Sequence, residues 1–145
     1  MALYLIENIN QNIINQNKTS HFSTIKTKLV NKDTLLKSLL LLGEKVDINQ
    51  TLENPVGHNH DKLICDITVG TDIGFRFNKV TDAYELVTDL QTWNRSIPPK
   101  VFLDKVTQQY AVNTIVNTVE DDGFTILENK KTLDGSIELT CTKWD

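Results

Sequence analysis

Paired cysteines, glycine-rich phosphate loops and long apolar runs are all missing from this chain of 145 residues. The two cysteines, Cys65 and Cys141, stand far apart and outside any C-x-x-C pair. That excludes a disulfide framework and an iron–sulfur or cysteine-rich zinc ligand set, and a reducing compartment is the simplest reading. The six glycines form neither G-x-G-x-x-G nor G-x-x-x-x-G-K, so nucleotide cofactors held by those loops are not expected. A G-x-S-x-G elbow is also absent, and neither cysteine sits in a context that would activate it. No apolar run approaches the ~20 residues of a spanning helix, and the leucine run Leu39–Leu42 stops at Gly43. The start, Met-Ala-Leu-Tyr-Leu-Ile-Glu, lacks the basic segment and cleavage site of a secretory signal and the arginine-rich character of a transit peptide. The expectation is a soluble intracellular protein, made in whichever organelle it serves.

Histidine is scarce too. His58 and His60, followed by Asp61, fall in the Gly/Pro loop of residues 52–61. An H-x-H pair without a third ligand at strand or helix spacing does not build a metal site, so no metal is expected. His21 has no nucleophile tied to it, which favours a structural role over a catalytic one.

What is present fits one globular domain: 39% of residues are hydrophobic and 23% charged. The net charge of −4 conceals an asymmetry. Between His21 and Lys45 there are five lysines (26, 28, 32, 37 and 45) against Asp33 and Glu44, whereas Val46 onward holds sixteen acids and nine bases. Such a basic stretch is a solvated lysine face or a docking face for an acidic partner or nucleic acid. The pI near 5.3 and the single interleaved aromatic, Phe22, disfavour nucleic acid.

Residues 1–19 are asparagine-rich with few charges, and they read as a weakly ordered arm. Ile6, Ile9 and Ile13 keep the spacing of a weak amphipathic helix. The domain proper spans residues 20–145. Its alternation predicts a strand over 21–30, then a short leucine helix capped by Asn31 or Asp33 and closed by Gly43. A strand over 45–50 follows. Leu63, Cys65, Ile67 and Val69 share one face of the next, and Ile73, Phe75 and Phe77 one face of its neighbour. Tyr84, Leu86 and Thr88 mark a further strand. Pro98 and Pro99 introduce a long helix over about 100–121, and Leu133-Asp-Gly-Ser turns the final hairpin. The order β-α-β-β-β-β-α-β-β predicts an α+β fold: a mainly antiparallel sheet of six to seven strands with two helices packed on one face.

The segment Ser20-His-Phe-Ser-Thr-Ile-Lys-Thr resembles the opening of the hypothetical chloroplast reading frame thirty-five family of cyanobacteria and algal plastids. Four further blocks match in order: Asp72-Ile-Gly-Phe, the run from Tyr84 to Trp93, Phe102 with Val106-Thr-Gln-Gln-Tyr-Ala111, and Asp134-Gly-Ser-Ile-Glu-Leu ahead of Lys143-Trp144. The resemblance implies a small protein of plastid stroma or cyanobacterial cytoplasm, with no reaction attached. It also makes residues 1–19 an added arm or the product of an upstream start codon.

One constellation carries chemistry: Arg76, Asp89, Trp93, Arg95 and Tyr110. Arginine, carboxylate and aromatic groups together clamp anionic or planar ligands. The competing reading is an Arg76–Asp89 ion pair on an open sheet face, with the aromatics as packing. With no catalytic machinery recognised, the sequence favours a noncatalytic accessory protein acting through a protein partner and holding no cofactor. An enzyme or small-ligand protein with its site on the open sheet face is the alternative, and RNA binding through Lys26, Lys28, Lys32 and Lys37 the weaker one.

Overall fold

The structure, a computed structural model, describes residues 5–7, 22–53 and 62–143. Its elements are β1 (Leu5–Glu7), β2 (Ser23–Lys26), α1 (Lys32–Leu41), β3 (Val46–Glu53), β4 (Lys62–Val69), β5 (Ile73–Asn78), β6 (Ala83–Thr88), α2 (Pro99–Asp121), β7 (Phe124–Lys131) and β8 (Ile137–Lys143). From Ser23 onward this is the predicted order, and every strand pairing is antiparallel. The fold is α+β: a six-stranded sheet ordered β1-β2-β6-β5-β4-β3 and a separate two-stranded sheet, β7-β8. The short strand β1 falls where the spacing of Ile6 and Ile9 predicts a helix, and it pairs Leu5 to Glu7 against Lys26 to Thr24. His21, His58, His60, Trp144, most of the loop at 52–61 and the rest of the arm lie outside the described residues.

Helix α1 begins where Asn31 Oδ1 accepts from Thr34 N–H at 2.9 Å, so of the two N-caps the sequence offers it is Asn31, with Asp33 in the first turn. Its buried Leu35 and Leu39 join Phe102, Leu103 and Val106 of α2 over one face of the sheet. That face contributes Ile25, Ile67, Val69, Ile73, Phe75, Tyr84 and Leu86. Burying side chains of this size contributes roughly 1.5–3 kcal/mol each and holds the two layers together. The helices are also joined by polar contacts. Asn113 Nδ2 donates to Ser38 Oγ at 2.9 Å, and Ser38 Oγ donates to Thr34 O, so neither buried group is left unpaired. The Tyr110 hydroxyl accepts the backbone N–H of Val30 and of Asn31.

The second face of the sheet is not open. Leu63 and Cys65, expected beside Ile67 and Val69, instead pack with Phe22, Leu52 and Val87 in a second cluster behind the sheet. The cause is a bend in the β3–β4 hairpin. The ladder skips the pair Asn49–Asp66, Asn49 takes a left-handed φ of 55°, and Asp66 Oδ2 accepts the Phe77 N–H at 2.8 Å in place of a backbone oxygen. Beyond that bend the hairpin turns over the sheet. Gly74 makes the approach possible, because a Cβ there would stand 2.4 Å from Cys65 Sγ.

Candidate functional site

The predicted constellation is distributed over three places. Arg76 points to the second face, where its guanidinium meets Glu85 at 3.5 Å, not Asp89. Asn78 Nδ2 donates to the other oxygen of Glu85. Glu85 is nearly buried, because all six residues of β6 are covered on both faces, and these two donors satisfy its carboxylate. Cys65 lies close by. Burial pushes its thiol up to about 11, opposed by the Arg76 guanidinium and reinforced by the Asp66 carboxylate, so it is protonated at neutral pH and a poor nucleophile.

Asp89 follows the last residue of β6 and is only 2% exposed. Its Oδ1 accepts from Gln91 N–H at 2.8 Å, which fixes the turn toward α2, and its Oδ2 has no partner among the described residues. Trp93 and Arg95 do come together, over Phe102 in the first turn of α2. The Trp93 ring meets Phe102 edge-on at 5.8 Å, its Nε1 donates to Ile97 O, and the Arg95 guanidinium lies 5.0 Å above the same phenylalanine. Arg95 also donates to Glu44 at 2.8 Å, tying this loop to the end of α1. Tyr110 sits at the opposite end of α1. These contacts fasten helix to helix and loop to helix.

A groove lies elsewhere, between α2 and the final hairpin. Among the described residues the hairpin β7–β8 makes no pairing with the main sheet, and it leans on α2, where Gln108 Nε2 donates to Gly135 O at 2.6 Å. Between helix and hairpin runs a groove of about 420 Å³ lined by Gln108, Ala111, Val112, Ile115, Ser136, Ile137 and Leu139. Ile115 is 50% exposed on its floor. The sequence carried the signal in the run Ala111, Val112, Ile115 and Val116, too wide an apolar band for one buried seam, but not what faced it. Among the described residues no group of three or more His, Cys, Asp or Glu could hold a metal, and no helix is long and apolar enough to cross a membrane.

Residues 41–140 match a family described as a protein of unknown function (DUF1257). The uncharacterized protein ycf35 of Guillardia theta is 36% identical over 129 residues, 86% of this chain and 98% of the relative. The proteins of the same name in Pyropia yezoensis and Cyanophora paradoxa are 34% and 33% identical, covering 87% and 86% of this chain and 98% of each relative. No solved structure matches. Matched over most of its length, the chain belongs to the DUF1257 family, with the uncharacterised ycf35 proteins of algal plastids.

Proposed function

We propose that this is a noncatalytic accessory protein of the plastid stroma that acts by contact with a protein partner, and that the face formed by α2 and the β7–β8 hairpin is where contact is made. The groove carries this reading: a concave apolar surface with a half-exposed isoleucine on its floor, walled by a hairpin that the main sheet does not hold. An isolated two-stranded hairpin is marginal in water and gains from whatever packs on it. A photo-crosslinking side chain placed at Ile115 in the native host is expected to yield a discrete protein adduct. The same group at Ile64, exposed on the bent β3–β4 hairpin behind the sheet, is expected to yield none. Equal labelling from both positions, or none from either, counts against the reading.

The small-ligand alternative draws on one observation, the buried Asp89 oxygen that has no partner among the described residues. It predicts that Asp89→Asn stays folded and still loses the biological phenotype.

A further inference from the structure

The α2–hairpin face has a charge character as well as a shape. From Val106 to Asp122 the chain has no lysine or arginine, and the helix closes on Glu120, Asp121 and Asp122. No basic residue sits in its last turn. A helix C-terminus carries about half a negative charge, so these carboxylates stand against the macrodipole, an arrangement folding alone does not favour. Asp122 follows Ile115 by seven residues, two turns along the same stripe. In the hairpin turn, Asp134 is held ionised by hydrogen bonds from Thr132 and Ser136, and the bases on the face of Ile137 are Lys131 and, at the far end of β8, Lys143, which lies over the Phe124 ring.

The opposite chemistry is displayed by α1. Leu40 and Leu41 are 60% and 58% exposed, with Lys37 one turn before them and Lys45 just beyond, both exposed. Glu44 is engaged by Arg95, which leaves the lysines dominant there. These two surfaces cannot meet within one chain. The contacts Asn113–Ser38 and Tyr110–Asn31 fix α1 on one flank of α2, and Gln108–Gly135 fixes the hairpin on the other.

We propose that a second copy of this chain occupies the groove: the basic leucine surface of α1 in one chain lies on the acidic α2–hairpin face of the other, and reciprocally, as a two-fold dimer. Charge complementarity between two exposed apolar surfaces of one molecule selects this occupant, and the two-fold arrangement closes the assembly. The proposal rests on the reading that this face is a contact surface.

Sedimentation equilibrium of the full chain at low ionic strength tests it. The wild type is expected at twice 16.5 kDa, with weaker association as salt is added. Two variants change exposed residues alone: Lys37→Glu with Lys45→Glu, and Asp121→Lys with Asp122→Lys. Each is expected to be monomeric by itself, with association weakened at least tenfold. Mixed in equal amounts they are expected to recover the dimer, because each supplies the charge the other has lost. At a concentration too low for either protein to associate, the acid-to-lysine variant should melt no lower than wild type, since it corrects the dipole. A wild-type monomer, a variant that dimerises unaided, or a mixture that stays monomeric overturns the dimer. A monomer whose Ile115 crosslinks to a different protein would overturn the dimer and leave the contact-face reading intact. Absence of any Ile115 adduct overturns that reading itself.

Discussion

Gly74 sits where β5 passes beneath the bent hairpin, and the space its missing side chain leaves is filled by Cys65 Sγ. Gly74→Ala should therefore act as overpacking and cost about 1–3 kcal/mol. Pairing it with Cys65→Ala should return part of that loss, since the sulfur is the nearer obstacle and the Cys65 Cβ, 3.0 Å away, remains. Urea denaturation of the two single variants and the double measures the coupling, and additive losses would show that the sulfur is not the obstacle. The thiol also sets an alkaline limit. Its pKa rises from the ordinary 9.0 to about 11 on folding, so the stabilisation is complete below pH 9.0 and is lost progressively as the pH rises through about 11. Tyr84, raised first by burial and then by Asp66, shifts the limit the same way. Melting across that range should fall more steeply for wild type than for Cys65→Ala.

Among the elements, those with a periodic face were legible from sequence and those with a bend were not. Asn31 and the spacing of Leu35 and Leu39 gave α1 its start and its buried side, and Pro98-Pro99 gave α2 its entrance. The alternation Leu63, Cys65, Ile67, Val69 reads as a single strand face because period two assumes an unbroken ladder. The break depends on Asn49 in a left-handed conformation and on Asp66 reaching across to Phe77, neither of which alters the hydrophobic pattern. The covered second face was missed for the same reason, and with it the pairing of Arg76 to Glu85. The helix junction is testable here. Tyr110→Phe removes the acceptor for Val30 and Asn31 N–H and should cost about 0.5–1.5 kcal/mol, with faster amide exchange at those two residues. In the β7–β8 turn, Asp134 is held down to about 2 from 3.8 by hydrogen bonds from Thr132 and Ser136. A depressed carboxylate stabilises the turn above its ordinary value and releases it as the pH falls from 3.8 through about 2. The Gly135 amide resonance should shift over that interval before the core unfolds.

At the scale of the whole molecule, the joints of the fold and the groove respond to substitution in different ways. The predicted residues Arg76, Trp93, Arg95 and Tyr110 sit at the joints of the fold, engaged with Glu85, Phe102, Glu44 and the first turn of α1. Their substitution should register first in stability. Trp93→Ala removes the ring packed on Phe102 and should cost up to about 3–5 kcal/mol. Arg76→Ala should cost about 1–3 kcal/mol, because it strips the buried Glu85 carboxylate of one of its two donors and leaves Asn78 alone. The groove has the reverse profile: Ile115 is half exposed, so changing it should disturb folding little. The most direct measurement is complementation of a host strain lacking the native gene, with each variant's melting recorded beside it. Ile115→Asp should melt within about 0.5 kcal/mol of wild type and fail to complement, whereas Arg76→Ala should complement fully. Full complementation by Ile115→Asp, together with failure of a well-folded Arg76→Ala, would contradict the account and move the working surface to the second face of the sheet.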